Sequence, residues 1–264
     1  MFNFFKSIYR YFDKLSFFIY KLRQHILYSG SVVDLRDKNH KIREVAHSID
    51  KSMTMKNSDP NRGERAKKNL KALCDKTEIL AAENHLLIKR LSSMPETFGF
   101  DSQMELPTVR RFLNLDVETN KIESSVVCAN KYPKSCSRES IKIYLARKDK
   151  SAVASCFSGF SCIEGPYEIA VVVVDLTAYD ARSEVFAPYI DGSIFATGFC
   201  RSLWEKGIGS CMLNWSSQTK ESEDKLRRKL NLAKNDLIIM GVVFGYPEFI
   251  PFHAPRKKVE DLII

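Results

Sequence analysis

Apolar residues recur along this chain with two different periods, and the change from one to the other divides it. In residues 1–28, Phe5, Ile8, Phe12, Leu15, Ile19, Leu22 and Ile26 follow spacings of three and four, with Lys6, Arg10, Lys14 and Lys21 mostly off that stripe. This spacing predicts an amphipathic helix. A second helix is expected over 41–57, then a loop at 57–63 where Asn, Ser, Asp, Pro and Gly cluster. A third is expected from Glu64 to Ser92, carrying Ala66, Leu70, Leu73, Leu80, Leu87 and Leu91 on one face. Polar, Gly- and Pro-containing residues from Ser92 to Pro107 read as a linker or surface loop.

Beyond that loop the pattern mixes helical and strand-like stretches. Helices are expected over Val117 to Asn130, over Asp191 to Lys206 with Gly207 closing the last turn, and over the charged stretch Lys220 to Leu232. Strands are expected at 141–147, 169–176 and 236–246. The last two are continuous apolar runs rich in β-branched residues and too short to cross a membrane, so they read as buried strands. The chain therefore divides into a helical extension, 1–100, and an α+β domain, 101–264.

Charge sharpens that division. The net charge is +9, yet residues 1–100 carry 19 Lys and Arg against 11 Asp and Glu, whereas residues 101–264 carry 22 against 21. The basic character belongs to the extension, where it suits anionic lipid, nucleic acid or an acidic partner. No nucleic-acid motif accompanies the basic stretch Arg62 to Lys76, so no nucleic-acid partner is expected. For residues 1–28 two readings stand: a helix packed on its own domain or on a second subunit, and a helix lying in a membrane interface, favoured by the additional Phe2, Phe4, Tyr9, Tyr11, Phe17, Phe18 and Tyr20. Its interrupting charges argue against a signal peptide or a spanning helix. The 7 cysteines are widely spaced and include no CxxC pair, which points away from a disulfide framework and towards a reducing cytoplasm. Peripheral contact at the inner face of the cytoplasmic membrane remains open. His47, His85 and His253 have no carboxylate or cysteine at ligand spacing, so no metal is expected.

Candidate chemistry lies in the α+β domain. Pro133-Lys134-Ser135-Cys136-Ser137-Arg138-Glu139-Ser140 packs hydroxyls, a guanidinium and a carboxylate into a turn before a strand. That composition suits the edge of a polar ligand better than a core. Upstream, Thr108-Val109-Arg110-Arg111-Phe112 offers a hydroxyl and paired cations; downstream lie Gly207-Ile208-Gly209, Gly245-Tyr246-Pro247 and Arg256.

In this order, over about 155 residues, these segments resemble the nitroreductase family of flavoenzymes. The resemblance implies a mostly antiparallel sheet flanked by helices, and a homodimer with FMN at the subunit interface. It implies hydride passing from NAD(P)H through the flavin to an acceptor. Thr108, Arg110 and Arg256 would hold the FMN phosphate and its chain, guanidinium being a rigid paired donor. Ser135, Ser137, Arg138 and Glu139 would line the ring, and Gly207 and Gly209 would form the turn behind the helix. No acid or base catalyst is expected, because the protein's part is to orient and tune the flavin.

His47-Ser48-Ile49-Asp50-Lys51-Ser52-Met53 resembles a run in nitroreductase-like proteins of bacterial surface-polysaccharide loci, which also carry helical extensions. This chain departs from the family pattern at Leu106 and Pro107, at Ser137 for Asn, at Glu139 for Gln, and at Ser52 for Gly. A buried unpaired carboxylate at Glu139 would oppose a reduced, anionic flavin. Two alternatives follow. Glu139 pairs with Arg138 or turns outward and FMN binds, or the fold serves as a flavin-free scaffold that docks on a membrane or an assembly partner.

Overall fold

The computed structural model describes residues 106–180, 184–215, 219–249, 251 and 259–263, together with Ile19. The expected helices over 1–28, 41–57 and 64–92 lie outside the described residues, as does Arg256. The chain divides into two compact units. One comprises Asp50–Pro60 and Met94–His253 and holds every element below except a short turn at Val259–Asp261; the other comprises Met1–Ile49, Asn61–Ser93 and Ala254–Ile264.

The sheet is built around two apolar strands. Its order is β1 (Ile141–Leu145), β2 (Glu168–Asp175), β4 (Asp236–Gly245), β3 (Gly209–Leu213), and every pairing is antiparallel. In β2 the side chains of Ile169, Val171 and Val173 enter one core, and those of Ala170, Val172 and Val174 the other. Alternation across the pleat explains this split. A strand covered on both faces reads as a continuous apolar run, which is why β2 lacks the polar–apolar alternation of a surface strand. A bulge between Val172 and Val173 leaves Ile239 as the extra residue on β4.

One face is covered by α1 (Thr119–Asn130) and α3 (Ala187–Trp204), which pack along each other. The other carries α2 (Lys150–Ala154), α4 (Lys220–Leu230) and the extended segment around Val109 and Phe112. The α3 helix begins four residues before its expected start, because Pro188 sits in its first turn, where a missing N–H costs nothing. Gly192 lets α3 close on the sheet: a Cβ there would lie 2.6 Å from Ile239 Cγ1. At its far end Ile208 N–H donates to Leu203 O (3.0 Å) and Gly207 N–H to Trp204 O (2.9 Å), with Gly207 at φ 75°. That pair of bonds is the Schellman closure expected of glycine at this position.

The other expected elements appear with slightly different ends. α1 starts at Thr119 rather than Val117, β1 stops at Leu145, and α4 stops at Leu230 before Asn231 at φ 51°. Two elements, α2 and β3, were not expected. The fold is α+β, an antiparallel sheet between helical layers. Among the described residues no helix is long and apolar enough to cross a membrane.

Candidate functional site

The polar turn is held from below by a buried carboxylate. Ser135–Ser137 forms one 3-10 turn in which Cys136 and Ser137 both take left-handed backbone, at φ 52° and 54°. Asp191, in the second turn of α3 and 1% exposed, accepts from the Ser135 N–H and hydroxyl through Oδ1, both at 3.0 Å. Its Oδ2 accepts from the Tyr179 hydroxyl at 2.7 Å. Since that proton is committed to Asp191, Ser140 Oγ donates to the Tyr179 oxygen, also at 2.7 Å. Burial, reinforced by the bond to Asp191, pushes the Tyr179 phenol up to about 12, so it stays a donor at neutral pH.

All three charged residues of the turn, Lys134, Arg138 and Glu139, have protein partners. Arg138 pairs with Glu184 (2.8 Å) and lies over the Tyr179 ring, 5.2 Å from its centroid. Glu139 does not meet Arg138: Lys134 Nζ reaches its Oε1 at 2.7 Å and Asn130 Nδ2 its Oε2 at 3.0 Å. Its side chain is 69% exposed, and the Lys134 and Asn130 hydrogen bonds lower its pKa. Cys136 and Ser137 are exposed, whereas Ser135 is turned towards Asp191.

The basic motif occupies a separate place. Residues 108–113 run beside the start of β3 and the end of β4: Thr108 bridges to Ser210, Val109 N–H donates to Ser210 O (2.9 Å), and Leu113 N–H donates to Tyr246 O (2.8 Å). Glycine makes this close passage possible. A Cβ on Gly209 would lie 2.5 Å from Val109 Cγ2, and one on Gly165 2.3 Å from the Phe112 carbonyl oxygen. Arg110 is buried to 6% exposure. Arg111 is held by Glu248 (3.0 Å), with Glu164 at 3.7 Å and the Phe249 ring beneath it.

Thr108, Arg110, Gly207 and Gly209 thus gather beyond the C-terminal end of α3. Ser135, Ser137, Arg138 and Glu139 gather near its N-terminal end. Asp191 to Trp204 alone spans about 20 Å at the rise of an α-helix, so one chain does not bring the two groups together. The residues that sequence reasoning missed are Asp191 as an anchor, Tyr179 and Glu184. Asp191 carried a usable signal: an acid in the apolar run of α3, next to a glycine, is buried and must be paired.

Other buried polar groups have structural work. Asp236 accepts from Lys142 (2.8 Å), Tyr144 (3.1 Å) and Ala233 N–H (3.0 Å), tying β1 to β4. Burial pushes the Cys200 thiol up to about 12, which suits a packing residue. Among the described residues no cluster of His, Cys, Asp or Glu is arranged to hold a metal.

Comparison with solved structures gives the same architecture. Nitroreductase A from Vibrio parahaemolyticus matches with a TM-score of 0.53 at 16% identity, over 60% of this chain and 71% of that one. A nitroreductase family protein from Streptococcus pneumoniae matches with a TM-score of 0.52 at 13% identity, over 60% and 95%. A protein named as a nitroreductase and solved in complex with FMN, from Desulfovibrio desulfuricans, matches with a TM-score of 0.52 at 14% identity, over 60% and 90%. No family model and no curated protein matches the chain.

Proposed function

We propose that this chain is an FMN-dependent oxidoreductase of the nitroreductase type, passing reducing equivalents from NAD(P)H to an acceptor and working as a homodimer. The observation that carries the reading is a nitroreductase-like fold in which the two polar segments singled out in the sequence are each held in place by hydrogen bonds. The donor set fits the group. Arg110 is a buried guanidinium suited to a phosphate, with Thr108 two residues before it in the sequence. The turn offers the Ser137 hydroxyl and exposed backbone, and Lys134 pairs with Glu139, the carboxylate within it.

Bound FMN would supply the two-electron chemistry. The residues of this chain then bind and orient. Arg110 would hold the phosphate end, with Arg256 as a further cation, and the Ser135–Ser137 turn would set the ring edge against hydroxyl and backbone donors. Arg138, committed to Glu184, would act on that edge through charge rather than direct contact. Separation of the two groups by the length of α3 supports a site shared between two copies, with the turn of one facing Arg110 of the other. The association of residues 1–28 with a membrane surface rests on their basic, aromatic-rich amphipathic pattern, and the link to polysaccharide assembly on the sequence resemblance.

The test is direct titration of the full-length protein with FMN, followed by flavin fluorescence and visible absorbance. One FMN per chain is expected, with binding weakened at least about tenfold in Arg110→Gln, the loss of one charged hydrogen bond. A colourless protein that takes up no added flavin would overturn this reading and leave the scaffold in its place.

A further inference from the structure

Two residues of the turn, Cys136 and Ser137, sit in the left-handed region at φ 52° and 54°. Such backbone is costly without glycine and persists only where surrounding contacts over-determine it. Beside the Lys134–Glu139–Asn130 pairing on the outer side of the turn, these contacts converge on a single side chain. Asp191 accepts the Ser135 N–H, the Ser135 hydroxyl and the Tyr179 hydroxyl, while Tyr179 in turn receives Ser140 at the other end of the turn. Arg138 lies over the Tyr179 ring and is fixed by Glu184. Both edges of the turn are therefore tied to one carboxylate on α3, and between the ties Cys136, Ser137 and Glu139 face solvent.

We propose that Asp191 is the positioning residue of this turn: through Ser135 and Tyr179 it presets the strained Cys136–Ser137 backbone in the conformation that receives the flavin edge. The assignment towards flavin rests on the functional reading above; the hold on the turn does not. Preset geometry lowers the ordering cost of binding. A carboxylate is needed because its two oxygens must accept from three donors at once. An Asn oxygen could still accept both Ser135 protons, but its amide would face the Tyr179 hydroxyl as a donor. That hydroxyl would then have to release its proton towards Ser140, which reverses the second tie.

Asp191→Ala, Asp191→Asn and Tyr179→Phe test this in the full-length chain, with Asp236→Asn as a control. Asp236 is a buried, multiply bonded carboxylate outside the turn. Hydrogen exchange of the apoprotein over 132–140 is expected to rise about tenfold in Asp191→Ala and less in Asp191→Asn, and to stay at the wild-type rate in Asp236→Asn. FMN dissociation constants should follow the same order, rising about tenfold in Asp191→Ala. Unchanged turn exchange in Asp191→Ala would overturn the positioning role. So would an FMN affinity that falls equally in Asp236→Asn at matched thermal stability. A wild-type chain that binds no flavin would overturn the functional reading and the assignment towards flavin, while the exchange data still decided the hold of Asp191 on the turn.

Discussion

At the scale of single residues, contacts rather than residue types decide what this site can be. Glu139 by identity opposes a flavin; by position it is an exposed partner of Lys134 and Asn130. Sequence separations of five and nine residues make those partners local, yet which of Lys134 and Arg138 would take the carboxylate depended on Glu184, which claims Arg138 from 46 positions away. Gly209 is a second case. Its identity announces a turn, but its use is a close approach: Val109 Cγ2 would lie 2.5 Å from an added Cβ. Gly209→Ala should therefore destabilise the fold by about 1–3 kcal/mol through overpacking and weaken ligand binding at the Thr108–Arg110 segment. Adding Val109→Ala, which removes the two methyls but leaves a Cβ still 2.7 Å away, should recover only part of the stability, measured by urea unfolding; a double variant no better than the single one would place the cost elsewhere.

At the scale of elements, periodicity found what was long and regular. The β2 and β4 runs are apolar throughout because both faces of the sheet are covered, and α1, α3 and α4 carry helical spacing. β3 was not legible. It has five residues, two of its neighbours are glycines, and it exists because Gly209 to Leu213 pair with Gly245 to Gly241, a contact no local pattern reveals. The early start of α3 was hidden by Pro188, which reads as a breaker unless it is known to occupy a first turn. The helix end was legible, since Gly207 takes the left-handed conformation that the closure requires. No atom lies within 4 Å of an added Cβ at Gly207, so Gly207→Ala isolates the backbone term. A loss of about 1 kcal/mol in denaturant unfolding is expected; a loss near zero would mean that the turn relaxes.

At the scale of the whole molecule, three depressed carboxylates tie distant elements together. Hydrogen bonds from Tyr246 and Lys121 take Glu118 from 4.5 down to about 2, joining the start of α1 to the end of β4. The Thr177 hydroxyl, against the opposing effect of burial, holds Asp175 far below its ordinary value. Burial raises Asp236, but bonds from Lys142, Ala233 N–H and Tyr144 outweigh it and leave it depressed. Groups with folded values below their unfolded ones contribute stability above the unfolded value and lose it as pH falls through the folded one. Stability should thus hold at neutral pH and decline from about pH 4.5 downwards, and Tyr246→Phe should make the upper part of that decline shallower. Thermal unfolding at pH 7, 5, 4 and 3 checks this; a flat profile would contradict it.

The site's two halves were each legible as sequence segments, whereas their separation was not, because the length and course of α3 set it. That separation makes subunit complementation the most direct measurement. Arg110→Gln disables one half, and Ser137→Tyr fills the space over the turn in the other. Each variant alone should dimerise and bind little FMN, while a co-expressed mixture should recover flavin in the mixed dimers, where one of the two sites keeps both halves intact. Recovery of visible flavin absorbance in the mixture is the predicted result. A mixture binding no more FMN than the separate variants, with mixed dimers confirmed by mass spectrometry, would contradict a site shared between two copies.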